Sequence, residues 1–590
     1  MRMTNKIMRN NSAYNINQNK ILQDKLTNQM TNQSKIVRPS DDPVVAIRAL
    51  RLRSNVTTVS QYNDKNAKDA DQWLTLTADA MKTVDDVLTD LYRQVETSAN
   101  KYETSEDLRI LLSQMKQLTE EFYSCANVDY AGRFVFSGYR TDLPVTFTEE
   151  DMKKMKEHPV SFNIDEKFGF EDISRVLYTG FDQVADMDTN ITSATNSYEQ
   201  TVENTTMYRF RISYNNLDSL TKTDIEGNPQ KLTITLPKYE DAATNPPTVY
   251  SDVKLEITAP AGATPGTNFA ATVNVVSAKD SNGNELTPTS VPPLPTSVST
   301  ALGALDVQEF SSQEEAYKAI AEGTCTGIAY IPTSGELVFS DQYYKENFSE
   351  SAFEGGKTFQ VNYDKSTWQN GDINPVHYFK CLETKDLAAP GGNPHVAEPR
   401  KTWYNTQVEE GRTQDIYYDV GYNQQIQVNT KADEIFTHDV QRDLDDFEYY
   451  IKQLEDIEKL EANLTTKMGD YAEDSPQYKD LEQRLKGVKK ANAHIRDNIH
   501  TKFENQMTKY QKYSDDSRVA MTDNATRGSR LELISNRLTN QKATFKEIQQ
   551  DNEGIDITEV AIELTSSELT YNAALMATGK IMQTNLMNYI

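Results

Sequence analysis

The sequence predicts an α + β multidomain chain, helical at both ends and β-rich between. Three observations carry this. The first glycine of the 590 residues is Gly132. Glycine costs a helix interior about 1 kcal/mol against alanine, so the stretch before it reads as helix. The last 160 residues hold one proline, Pro476, and five glycines. Between these ends, from Tyr139 to Thr430, lie 17 of the 24 glycines and 17 of the 20 prolines, among runs that alternate apolar and polar. Two helical ends far apart in sequence must meet each other or a neighbour, which points to an assembly subunit more than to an enzyme.

The N-terminal part is expected over 1–140. Residues 1–38 carry seven basic residues and one acidic, Asp24, either as a disordered or recognition segment or as the solvated face of a helix. Pro39-Ser40-Asp41-Asp42-Pro43 stops one helix and starts the next, because Ser or Asp accepts the free N–H groups of a first turn and proline fits there. Residues 44–101 then carry a heptad pattern. One position reads Ala49, Val56, Asn63, Ala70, Thr77, Val84, Leu91 and Ser98, the other Leu52, Val59, Asn66, Trp73, Ala80, Val87 and Gln94. A strict seven-residue repeat keeps one stripe facing a partner helix. A helix of 58 residues would be about 87 Å long and needs packing along its length. Asn63 and Asn66 break the stripe, either to fix register or because burial is shallower there. A third helix begins at the capping-box-like Thr104-Ser105-Glu106-Asp107, with Leu108, Leu112, Met115 and Phe122 on one face. Gly132–Tyr139 changes to strand character.

The middle, 141–430, is expected to hold two β-rich domains. Tyr208, Phe210, Ile212 and Tyr214 alternate with Arg209, Arg211 and Ser213; Leu232–Leu236 and Val253–Ile257 repeat the pattern. Period-two alternation marks half-buried strands. A short helix is expected at Gln313–Ala321, followed by a hairpin of Ile328–Ile331 and Leu337–Phe339. The C-terminal part, 431–590, returns to helix. Val440, Leu444, Phe447, Ile451, Leu454, Ile457, Leu460 and Leu464 form one stripe in an acidic segment. The final helix shows Ile557, Val560, Leu564, Tyr571, Leu575, Ile581, Met582 and Leu586, an apolar face that must be buried somewhere.

Composition excludes several classes. A net charge of −27 disfavours nucleic acid. The charge is uneven: 1–140 hold 19 Lys+Arg against 17 Asp+Glu, and the remainder 42 against 71. No apolar run reaches the roughly 18 residues of a membrane span, and no cleaved secretory signal is visible at the start. Three cysteines with no CxxC pair are not a disulfide scaffold. Asp280–Glu285 reads as a tight Asn-Gly hairpin or a faint calcium loop. HExxH, GxxxxGK[ST] and GxSxG are absent, so no catalytic, cofactor-binding or metal residue is singled out and no cofactor is expected.

The termini resemble flagellin-like axial proteins of bacterial flagella, most closely the hook-associated protein 3 family. Four segments carry this: Pro39-Ser40-Asp41-Asp42-Pro43, Gly132-Arg133-Phe134-Val135-Phe136-Ser137-Gly138-Tyr139, Gly528-Ser529-Arg530-Leu531-Glu532 and Leu569-Thr570-Tyr571-Asn572-Ala573-Ala574-Leu575. The similarity covers about residues 1–147 and 515–590; the middle lies outside it. The resemblance implies that the terminal helices pair as a long antiparallel coiled-coil-like domain with the β-rich insertion facing outward. It implies a structural, non-enzymatic subunit of the hook–filament junction, exported by the flagellar type III apparatus to an extracellular place on the flagellum. Its implied partners are the other hook-associated junction protein, flagellin, copies of itself in a ring and an export chaperone, with no nucleic acid and no membrane insertion. The assembly interface is expected at Ala49, Leu52, Val56, Val59, Trp73, Val84, Val87, Leu91, Leu564, Tyr571, Leu575, Ile581, Met582 and Leu586. Two alternatives stay open: a flagellin-type filament subunit with a large insertion, and an adhesive, glycan-binding module displayed on the flagellum.

Overall fold

The structure, a computed structural model, describes residues 5–36, 38–40, 42–99, 103–181, 184, 198–241, 248–280, 282–290, 293–348, 350–386, 399–406 and 414–583. Its principal helices are α1 (Asn5–Asn32), α2 (Pro43–Ser60), α3 (Lys68–Ser98), α4 (Ser105–Ser124), α5 (Gln313–Ala321), α6 (Asp439–Met468), α7 (Pro476–Glu553) and α8 (Ile557–Gln583). The long helix expected over 44–101 is therefore α2 and α3 with a π-helical segment, Gln61–Ala67, between them. Its start is set by Asp42, whose carboxylate accepts from Val44 N and Val45 N at 3.0 and 3.1 Å, ahead of Pro43 in the first turn. Thr104 and Asp107 close a reciprocal capping box on α4.

The chain forms two compact units. One comprises Met1–Leu74, Tyr417–Val428 and Thr526–Ile590; the other comprises Thr75–Ile416 and Asn429–Ala525. The second holds the main β structure. An eight-stranded sheet runs in the order Glu285–Leu286, Thr272–Lys279, Thr248–Thr258, Leu232–Asp241, Phe359–Lys365, Val160–Phe168, Lys380–Lys385 and Arg400–Tyr404. A six-stranded sheet runs Ile173–Thr179, Asn204–Arg211, Glu336–Ser340, Ile328–Ile331, Val307–Glu309 and Phe269–Ala270. Phe162, Ile164, Ile234, Val361, Phe210 and Phe339, drawn from both sheets, share one core, so the sheets pack face to face. The other face of the six-stranded sheet packs with Tyr317 and Ile320 of α5, which crosses over between the parallel strands Val307–Glu309 and Ile328–Ile331. The hairpin after α5 and the Asp280–Glu285 turn both form as antiparallel pairs.

Two local expectations are corrected. Gly132–Tyr139 is strand only at Arg133–Phe134, which pairs with Asp129–Tyr130. The connecting Ala131 and Gly132 take φ of 52° and 77°, a two-residue turn that favours glycine. Beyond it the chain leaves the ladder because Phe136 is drawn into an edge-on contact with Phe436 at 5.1 Å. The alternation at Tyr208–Tyr214 suggests one wet face, yet Arg209 is 2% exposed. The strand is covered on that side by α6. Arg209 donates to Glu336 and Asp446 at 2.5 Å each, and Arg211 donates to Asp443 and Asp446 at 2.7 and 3.1 Å. Lys502 of α7 adds a third cation on Asp446 at 2.5 Å. Burial opposes the charge on Asp446, and Arg209, Lys502 and Arg211 overcome it, holding the carboxyl well below the usual range. The acidic stripe of α6 is thus a buried joint between sheet and helices.

Candidate functional site

The first unit is built from segments of the two ends of the chain and a short segment, Tyr417–Val428, between them, and hydrogen bonds fix their directions. Lys35 N donates to Glu553 O at 2.7 Å and Ser34 bridges Gly554, so the end of α1 lies beside the start of α8 and the two helices run antiparallel. The α2 helix runs antiparallel to the 526–553 stretch of α7. Asn552 Nδ2 donates to Val45 O at 3.3 Å, Arg53 Nε donates to Glu553 at 3.0 Å, and Lys542 pairs with Asp64. The two asparagines of the seam fall in the π segment and are both used. Asn63 donates to Thr539 at 3.2 Å and accepts from Ser535 at 3.0 Å; Asn66 donates to Asp419 O at 2.8 Å. Asp419 belongs to a small hairpin, Tyr417–Gly421 and Gln424–Gln427, whose Tyr418 also donates to Asp69. Polar side chains on a wide helical turn therefore tie three segments together.

The α1–α8 pair has two kinds of face. On α1 the less exposed positions are Ser12, Ile16, Asn19, Gln23, Leu26 and Gln29, at spacings of three or four. On α8 they are Val560, Ala561, Leu564, Ser567, Tyr571, Ala574 and Thr578. Directly opposite these stripes lie apolar residues in contact with solvent. On α1 they are Ile7, Tyr14 and Ile21, seven apart and 48%, 62% and 56% exposed; on α8 they are Ile562, Leu569 and Met576, also seven apart and 66%, 73% and 73% exposed. Among the described residues, 18 of the 25 exposed large hydrophobic side chains belong to this unit. Large apolar surface in contact with water marks an interaction site.

The expected interface residues divide by environment. Ala49, Val59, Trp73, Val84, Val87 and Leu91 are buried within the chain; Leu52, Val56, Leu564 and Tyr571 are half-buried; Leu575 is exposed. Nothing is described of the side chains of Ile581 and Met582, and Leu586 and Asp41 lie outside the described residues. Pro39 and Ser40 form an exposed turn ahead of the Asp42 cap and Pro43. The outward residues Ile7, Tyr14, Ile21, Ile562, Leu569 and Met576 are an addition that sequence reasoning missed, although their spacing of seven was available as a signal.

Among known proteins, residues 3–141 match the family of the bacterial flagellin N-terminal helical region. The N-terminal part of this chain is flagellin-like. The flagellar hook-associated protein 3 of Escherichia coli (strain K12) is 28% identical over 126 residues, which is 21% of this chain and 39% of that protein. The resemblance drawn from the sequence is borne out to that extent, and the chain spans about two fifths of the length of the curated relative it matches. A Xanthomonas campestris FlgL crystal structure aligns at 8% identity and a TM-score of 0.25, covering 85% of this chain and 99% of that one. Flagellar hook-associated protein 3 from Legionella pneumophila aligns at 8% identity and a TM-score of 0.19, covering 84% and 98%. Scores this low carry no argument about arrangement. As the sequence predicts, long helices stand at both ends and sheets lie between.

Cys125, Cys325 and Cys381 are free and buried, and burial pushes their thiols up to about 11, 12 and 12. No group of three or more metal-ligating side chains occurs among the described residues, and no described helix is long and apolar enough to cross a membrane.

Proposed function

We propose that this chain is a structural, non-enzymatic subunit of the bacterial flagellum, placed at the junction of hook and filament. The observation that carries the reading is the pair of opposed apolar stripes, Ile7-Tyr14-Ile21 and Ile562-Leu569-Met576. One exposed stripe asks for one neighbour. Two stripes on the outer sides of a helical hairpin ask for a neighbour on each side, which is the requirement of a ring or a helical array. The neighbours are copies of the same chain, the other hook-associated junction protein and flagellin, and an export chaperone covers the same stripes before assembly. The protein is exported through the flagellar type III apparatus and acts outside the cell in motility. The helical parts 1–140 and 431–590 form the axial domain, with Ala49–Leu91 and Leu564–Leu575 in its seams, and 141–430 faces outward.

Immunogold labelling of isolated flagella tests the place, and Leu569→Asp tests the surface. The expected label is a single band between hook and filament, lost in the variant while the soluble variant keeps its helical circular dichroism. Label along the whole filament would instead favour a flagellin-type subunit. Normal incorporation of Leu569→Asp would overturn the role given to the stripes.

A further inference from the structure

The outer face of the eight-stranded sheet carries a polar cleft that the assembly reading does not use. Alternation along Val160–Phe168 sends Phe162 and Ile164 into the core and leaves Ser161 and Asn163 on the opposite face. Strand register sets Asp364 opposite Asn163 on one side, and Leu382 opposite Asn163 and Thr384 opposite Ser161 on the other. The segment 222–231 lies over them. Its turn is fixed by Asp224, which accepts from Asn228 N at 2.7 Å, and by Gly227 at a φ of +84°. Its tip is tied to the edge strand by Lys401, which donates to Glu226 at 2.7 Å. The space enclosed is a cleft of about 500 Å³ lined by both the loop and the sheet. That is the size of a small-molecule site.

Three properties say what would fit. First, the polar groups are held in place but not used up. Asn163 and Asn362 exchange amide hydrogen bonds at 2.9 and 2.7 Å, and Asn163 also donates to one oxygen of Asp364 at 2.9 Å. The other oxygen of Asp364 and the hydroxyls of Ser161, Thr233 and Thr384 have no hydrogen-bond partner among the described residues. Ser161 is only 7% exposed as a residue, and it is one of the residues that line the cleft. Second, the cations are already neutralised: Lys401 by Glu226, and Lys231 by Glu256 at 3.0 Å. Asp224 and Asp364 face the cleft without a cation, which disfavours an anionic ligand. Third, Trp403 is the cross-strand partner of Leu382 on the same outer face and is 54% exposed, while Trp73 is buried and Trp368 packs on the core. Trp403 is not itself a lining residue; it stands at the rim of the cleft, next to the lining residues Leu382 and Lys401 on the same face, and a flat apolar ring there suits a ligand that extends from the polar lining with an apolar face and hydroxyl groups.

We propose that this cleft binds a neutral, pyranose-containing glycan, with hydroxyls on Asp364, Asn163 and Ser161 and an adjoining sugar face on Trp403 at the rim. The site lies wholly in the second unit and does not depend on the junction reading. Saturation-transfer NMR on the full-length protein tests it with methyl β-D-galactoside, methyl α-D-mannoside, methyl β-D-glucoside, N-acetylglucosamine and N-acetylneuraminic acid as probes. At least one neutral probe is expected to give a saturable signal and to move the tryptophan emission to shorter wavelength. Trp403→Ala and Asn163→Ala should each weaken that binding by about tenfold, the loss of one good contact. Tyr422→Ala, at another exposed aromatic residue, should leave it unchanged. Trp403 is on the surface, so its variant is expected to fold, and circular dichroism checks this. No signal from any neutral probe, a signal from N-acetylneuraminic acid alone, or full binding by Trp403→Ala would each overturn the proposal.

Discussion

Glu166 shows how position on a strand decides the state of a carboxyl. It sits on the inner face of Val160–Phe168 and accepts from Ser213 Oγ at 2.6 Å, Ser213 N at 3.1 Å and Tyr363 OH at 2.9 Å. Among the described residues no cation pairs with it as Arg209 pairs with Asp446, and Arg442 lowers it only from a distance. Burial therefore wins over these hydrogen bonds and pushes Glu166 up to about 7. The folded pKa lies above the ordinary value, so between the two the folded state holds the extra proton. The stability this contributes is full below about 4.5 and is lost as pH rises through about 7, an effect of roughly 3 kcal/mol. Burial moves His377 the other way, to about 4, so the pH profile of the parent protein mixes the two effects. Comparing Glu166→Gln with the parent isolates the carboxyl. The melting temperature of the variant relative to the parent should rise between pH 5 and pH 8. A difference that stays constant over this range would show that Glu166 is charged throughout.

The helices show which patterns can be read and which cannot. The stripe of α6, from Val440 to Leu464, was legible because each member is buried by the same helical period that reveals it. The heptad frame along α3 has the same logic. Val84 is fully buried while Thr83 next to it is exposed. Val84→Asp should therefore destabilise by roughly 3–5 kcal/mol through an unpaired buried charge, and Thr83→Asp should change stability by no more than about 0.5 kcal/mol. Chemical denaturation of both variants checks this, and equal losses would mean that the frame is displaced. The π segment was not legible, because the period of seven runs straight across Gln61–Ala67 and the cause lies in partners elsewhere, Ser535, Thr539 and Asp419. Arg209 and Arg211 were hidden for the same reason. Alternation tells which side of a strand they occupy, but not that α6 supplies carboxylates more than 220 residues away to cover that side. The polar cleft was also out of reach, since the residues that line it come from separate strands and one loop and share no local pattern.

For the chain as an assembly subunit, the weak point is also the working point. The face that α1 turns to α8 is mostly polar: Ser12, Asn19 and Gln23 interrupt Ile16 and Leu26, and Ser567 and Thr578 interrupt Val560, Leu564 and Tyr571. Of the large apolar side chains described there, only Leu26 and Val560 are buried. Each such side chain contributes roughly 1.5–3 kcal/mol, against an ordering cost of about 1–2 kcal/mol for every residue fixed. A pair of helices held by so little burial is marginal by itself, whereas α6 buries a continuous stripe. Neighbours that cover Ile7-Tyr14-Ile21 and Ile562-Leu569-Met576 would add the apolar contact that the hairpin lacks, so its order is coupled to assembly. In the dilute monomer, amides of α1 and α8, within roughly residues 1–45 and 550–590, are expected to exchange with deuterium much faster than those of α6, and to slow on assembly. Limited proteolysis should trim the same ends and leave the sheets. If α1 and α8 in the dilute monomer prove as protected as α6, the hairpin is stable without neighbours, and the stripes on its outer sides serve attachment alone.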